Sequence, residues 1–137
     1  MPGGKADYLE AKMLDHVLGG GDYTRPATVY LALSTTTPTD AGGITEPSGG
    51  AYARQAITNN TTNFPASTGT NPTEKKNGTI VTYPVATASW GTIVGWALFD
   101  ASTAGNMLYW GDVTPSKAVG VDDQPKFAVN GLKITED

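Results

Sequence analysis

Few side chains in this sequence are suited to chemistry, and spacing decides what each can do. The single histidine, His16, stands beside Asp15. Adjacent residues of a helix point about 100° apart, so the two cannot form an oriented acid–base pair. His16 reads instead as a solvent-facing residue near a helix C-terminus, where a partly protonated imidazole is mildly favoured. Ser48, in Pro47-Ser48-Gly49-Gly50, comes nearest to a nucleophile elbow but lacks the preceding glycine and the strand-to-helix context. Asp122-Asp123 lacks the alternating spacing by which carboxylates wrap calcium and suits a solvated turn. Gly19-Gly20-Gly21 follows a helical pattern instead of preceding one, so it aims no helix N-terminal amides at a phosphate. Lys75-Lys76 is an isolated basic pair, and Asn60-Thr61-Thr62 and Asn77-Gly78-Thr79, which match the glycosylation acceptor pattern, read as Thr-rich loop composition. With no cysteine, thiolate nucleophiles, thiolate metal sites and disulfides are excluded. Trp90, Trp96 and Trp110 with Tyr109 remain as a candidate carbohydrate platform, but all lie in strand-like runs, where packing in a core or against a subunit is the commoner use of such side chains. The expectation is no catalytic residue, no cofactor, no metal, and no enzymatic activity.

The elements that carry these residues are mostly pleated. One amphipathic helix is expected over about residues 7–18, from Leu9, Met13 and Val17 at four-residue spacing, with Leu14 and Leu18 widening the stripe. Asp7 is its expected N-cap, Glu10 the capping-box partner, and the three glycines its stop. Thr28–Ser34 alternates as a strand with Val29, Leu31 and Leu33 on one face. Tyr52–Thr58 is a second strand. Ile80–Val85 is a third, with Pro84 pointing to an edge or a bulge. Trp90–Phe99 is apolar on both alternating faces, Val94, Trp96 and Leu98 against Ile93, Ala97 and Phe99, and needs cover on both sides. Turn residues Asp100–Asn106 join it in a hairpin to Met107–Val113, where Leu108 and Trp110 oppose Met107 and Tyr109. Asn130-Gly131 suits either a two-residue hairpin turn or a bulge within one strand. Long polar loops fill about 35–50 and 59–78. About six or seven strands with turn-rich connections imply one all-β, mainly antiparallel sandwich over residues 1–137, with the short N-terminal α-helix packed outside it or at one end.

Composition narrows the partners. Charged residues make up 16% of the 137-residue chain, below the roughly 25% of an average soluble domain. Net charge is −4 with pI near 4.8, which disfavours nucleic acid and anionic membrane surfaces. The opening Met1-Pro2-Gly3-Gly4-Lys5-Ala6-Asp7 lacks a cationic segment followed by an apolar run, and no stretch approaches the roughly 18 apolar residues of a spanning helix. Synthesis in a cytoplasm, without membrane insertion, is expected.

Tyr8-Leu9, Lys12 and Leu14–Gly20, then Pro26–Ser34, Glu46–Gly50, Tyr52–Arg54, Thr58–Asn60, Phe64-Pro65, Ala88–Thr92 and Trp96–Ala101, together resemble a family of small tailed-bacteriophage virion proteins. Its members are labelled tail-fibre or minor structural proteins, and similar jelly-roll-like proteins cement or decorate capsids. The likeness covers most of the chain and is less distinctive beyond Tyr109. It implies a jelly-roll-like β-sandwich, a structural job in a virion assembled in the host cytoplasm, and no catalytic residues to carry over. A receptor-binding fibre needs a long shaft with heptads or repeats, which this sequence lacks. Capsid cement on the capsid exterior is therefore the expectation, with the major capsid protein and sister copies, in a dimer or trimer, as partners. A tail-associated accessory protein and a carbohydrate-binding module are the alternatives. The expected anchors are Leu9, Met13 and Val17 on the helix, Thr36, Pro38, Ile44 and Pro47 in the first loop, and Phe64 in the second.

Overall fold

A computed structural model describes residues 3–136. The chain opens with β1 (Gly3–Lys5) and turns directly into α1 (Asp7–Val17). There follow β2 (Thr28–Ser34), β3 (Gln55–Thr58), β4 (Thr73–Lys76), β5 (Val81–Thr82), β6 (Gly91–Phe99), β7 (Met107–Val119), β8 (Lys126–Phe127) and β9 (Lys133–Glu136). A five-stranded sheet runs β1-β7-β6-β2-β3, and β4–β9 and β5–β8 form two ribbons. Every pairing is antiparallel. The expected all-β sandwich with one short helix is thus present. Its strands divide five, two and two, an order that does not by itself trace a jelly-roll path.

Helix α1 forms because Leu9 and Met13 stack one turn apart and cover the sheet. Leu9 is buried and Met13 packs half-buried against the same core. The expected capping box is absent, since Ala6 is the N-cap and no side chain caps the helix. The reason is local: the Asp7 N–H is committed to the Asp40 carbonyl (2.9 Å), while the Ala6 carbonyl accepts the first helical bond from Glu10 (3.0 Å). The helix ends as the glycines require, with Gly19 at φ 106. The apolar stripe is narrower than expected. Leu14 and Leu18 project roughly 140–180° from Leu9 at 100° per residue, and with Val17 they face solvent, 64%, 71% and 74% exposed.

Strands β2 and β6 are the buried centre of the sheet, because both of their faces are covered. Leu31, Leu33, Trp96 and Leu98 enter the main core with Leu9, Phe64 and Tyr83. On the opposite face Ala32, Ala97, Phe99 and Met107 form a smaller core with Ala6, lined by Tyr30, Ile44 and Trp110. Two irregularities redistribute the expected alternation. Between Ile93 and Gly95 the register shifts, their partners Lys117 and Asp112 lying five positions apart on β7, and Ile93 packs with Trp96 and Leu98 instead of Ala97 and Phe99. Leu98 pairs with Tyr109 but Phe99 with Met107, leaving Leu108 as the extra residue. Consequently Leu108 and Tyr109 face the main core while Met107 and Trp110 face the smaller one. The close approach of Trp96 to β7 depends on Gly111, where a Cβ would stand 2.6–2.8 Å from the indole ring.

The ribbons correct three expectations. The 59–78 loop contains β4; the strand expected over Ile80–Val85 contracts to Val81–Thr82; and Tyr52–Arg54 precede β3 without joining it. Asn130-Gly131 is neither hairpin nor in-strand bulge. Gly131 N–H bonds the Ala128 carbonyl (2.8 Å) with Asn130 at φ 66, a turn joining two strands that pair with different partners. Asn77 lies between the ribbons, 2% exposed. Its side chain donates to the Thr79 and Ala128 carbonyls (both 2.9 Å) and accepts from Leu132 N–H (2.8 Å). It thereby replaces the ladder bonds lost where β4–β9 gives way to β5–β8.

Candidate functional site

The residues with chemical potential are occupied by structure. His16 Nδ1 accepts the Tyr23 backbone N–H (3.1 Å) and fixes the chain leaving the helix. Asp123 accepts Gly120 N–H (2.8 Å), and Asp122 adopts φ 71, so the acidic pair is a turn. Among the described residues, no three His, Asp or Glu side chains converge as metal ligands, and no helix is long and apolar enough to cross a membrane. Asn60 accepts Thr62 and Asn63 N–H groups (3.1 and 2.9 Å) within its own loop. Trp90 and Trp96 are 3% and 4% exposed, which removes both from any sugar-binding platform.

The expected anchors separate into three groups. Leu9, Pro38, Pro47 and Phe64 are buried in the chain's own packing. Met13 and Ile44 are half-buried against the two cores, and Val17 and Thr36 are exposed. The first loop turns inward because it is hydrogen-bonded to itself. The buried Ser34 hydroxyl donates to the Thr36 carbonyl (2.6 Å) and accepts Thr45 N–H (3.0 Å), and the Thr36 and Thr45 hydroxyls pair at 3.0 Å. Large apolar side chains that face outward include Leu14 and Val17 on α1 and Leu18 at its C-cap, together with Ile80, Val85, Val121 and Val129 elsewhere. Angular spacing along the helix was the signal for Leu14 and Leu18.

Glu46, Tyr52 and Arg54 form the strongest polar cluster. Arg54 grips Glu46 through Nε to Oε1 (3.1 Å) and Nη2 to Oε2 (2.9 Å), a bidentate pair. Its Nη1 donates to the Ala101 and Ala104 carbonyls (2.9 and 2.8 Å), and its guanidinium lies 3.8 Å over the Phe99 ring. The Tyr52 hydroxyl donates to Glu46 (2.7 Å) and accepts Leu33 N–H (3.0 Å). Burial opposes ionisation of Glu46, yet hydrogen bonds from Arg54 and Tyr52 and the charge of Arg54 outweigh it and hold the carboxyl below its usual range. Burial, then the bond to Glu46, raises the Tyr52 phenol well above its own. Tyr52 also stacks on Tyr83 and meets Trp90 edge-on at 5.3 Å. Trp90 Nε1 donates to the Gly50 carbonyl (2.7 Å), at a residue with φ 60 whose Cβ would lie 2.9 Å from that nitrogen. The motif Glu46 to Arg54 therefore pins the first loop to the β6–β7 hairpin tip.

Two hollows remain. One of about 430 Å³ lies between α1, the sheet and the β4–β9 ribbon. The other, about 220 Å³, includes Trp110 and Asp112, whose buried Nε1 and Oδ1 atoms have no hydrogen-bond partner among the described residues.

The antiparallel sandwich, its polar side chains committed to its own packing, carries the residue pattern of bacteriophage virion structural proteins. The chain belongs to the family described as podophage GP4 fiber I protein gp80, whose family model matches residues 4–135. No curated protein matches it.

Proposed function

We propose that the chain is a tail-associated fibre component of a phage virion, acting by contact with neighbouring virion proteins and with sister copies in a dimer or trimer, without catalysis. The carrying observation is the family match over residues 4–135 and its description as a fibre protein. The geometry supports a contact role. The Arg54 cluster and the Asn77 splice stiffen the scaffold, while Leu14, Val17 and Leu18 remain available on its surface. Capsid cementing, the first expectation from the missing shaft, has no counterpart in the family description.

The test is fractionation. Purified particles are disrupted so that tails separate from emptied heads, and each fraction is blotted for this chain. Recovery with tails is expected; recovery with heads would replace the tail reading by cementing.

A further inference from the structure

The hollow beneath α1 has the size and lining of a ligand site. Its volume of about 430 Å³ falls in the roughly 300–1,000 Å³ range of pockets that take small organic molecules. Its floor is apolar, formed by Leu9, Met13, Val29, Phe64, Leu98 and Ile134. The remaining lining is mixed, with Pro26 and Leu108 beside polar and charged side chains. Tyr23 and Tyr109 both border the hollow, and neither hydroxyl makes a hydrogen bond among the described residues.

The charges have a sign. Glu74 is engaged by Lys76 and Lys133 (3.2 Å each), and Glu136 by Lys5 (3.1 Å). Arg25 and Lys75, which also line the hollow, make no ion pair among the described residues. Arg25 is exposed, so the unneutralised cationic end is the open end. A hydrocarbon would leave two phenols and two cations unused, and a cation would be repelled. A sugar would set its hydroxyls against Leu and Ile.

We propose that this hollow binds a small amphiphilic anion, its apolar body on the Leu9–Ile134 wall and its carboxylate-like head held by Arg25, Lys75 and the phenol hydroxyls. The site is independent of the tail placement proposed above.

Purified full-length chain is titrated with the anionic dye anilinonaphthalene sulfonate, which brightens in apolar sites, and the bound dye is competed with dodecanoate, dodecanol and dodecyltrimethylammonium. Dodecanoate is expected to displace it at about tenfold lower concentration than dodecanol, with the cation weakest. The double variant Arg25→Ala/Lys75→Ala closes the gap between dodecanoate and dodecanol. Ser67→Trp, at an exposed residue of the lining, abolishes dye uptake while leaving the circular dichroism unchanged. The proposal is overturned if the native chain does not brighten the dye, if dodecanoate competes no better than dodecanol, or if Ser67→Trp binds like the native chain. Loss of dye in Leu14→Lys/Leu18→Lys with retention in Ser67→Trp would move the apolar site to the outer helix face and likewise refute it.

Discussion

Asn77 and Leu132 exchange two hydrogen bonds across the junction of the ribbons: Leu132 N–H donates to Asn77 Oδ1 at 2.8 Å, and Asn77 N–H to the Leu132 carbonyl at 3.2 Å. Through this pair and the donors of its amide, one buried side chain holds the second layer of the sandwich in register.

Asn77→Ala strips partners from Leu132 N–H and from the Thr79 and Ala128 carbonyls at once, and should destabilise the fold by about 2–4 kcal/mol. Asn77→Asp should be no milder, because a carboxylate cannot donate to the two carbonyls. Urea unfolding curves decide this; a loss under about 0.5 kcal/mol for both would refute the splice.

Acid should weaken the loop anchor. The Glu46 carboxyl is depressed in the folded state, so its contribution is present above its unfolded value, near the ordinary 4.5, and is lost as pH falls through the lower folded value. Urea midpoints of the native chain should fall more steeply below pH 4.5 than those of Glu46→Gln. Parallel slopes would show that the pair contributes no acid sensitivity.

Gly111→Val should cost about 1–3 kcal/mol, because the new side chain enters the space of the Trp96 ring. Tryptophan fluorescence should shift with it, since Trp96 must move or become wetter. An unchanged spectrum and midpoint would refute the close packing of these two residues.

How much of this was legible depended on the kind of signal. Strand β2 follows from strict alternation between Pro26 and the Thr35 loop, and its bounds agree with the structure. The β6–β7 hairpin was likewise visible from its turn residues. The register shifts opposite Ile93–Gly95 and at Leu108 were not, because extra residues in β7 change pairing without changing composition. Strand β4 was hidden because Thr73-Glu74-Lys75-Lys76 has no apolar member; it is a strand through pairing with β9 and through Glu74's bonds to Lys76 and Lys133. Asn77 read as part of a Thr-rich loop, since only tertiary placement shows that its amide faces three backbone groups. The anchors at Pro38 and Pro47 read as surface because a polar loop that hydrogen-bonds to itself can turn its prolines inward.

Leu14→Lys/Val17→Lys/Leu18→Lys should leave unfolding of the isolated chain within about 0.5 kcal/mol of native, since all three side chains face solvent. Its incorporation into particles should fall severalfold when phage are grown on the variant gene. Equal incorporation would show that this helix face makes no contact in the virion.

The central claim is the tail placement, and an asymmetric cryo-electron microscopy reconstruction of intact particles tests it most directly. Density matching the β1-β7-β6-β2-β3 sheet with its single helix is predicted on the tail. The same density repeated over the capsid lattice, or found nowhere on the particle, would contradict it.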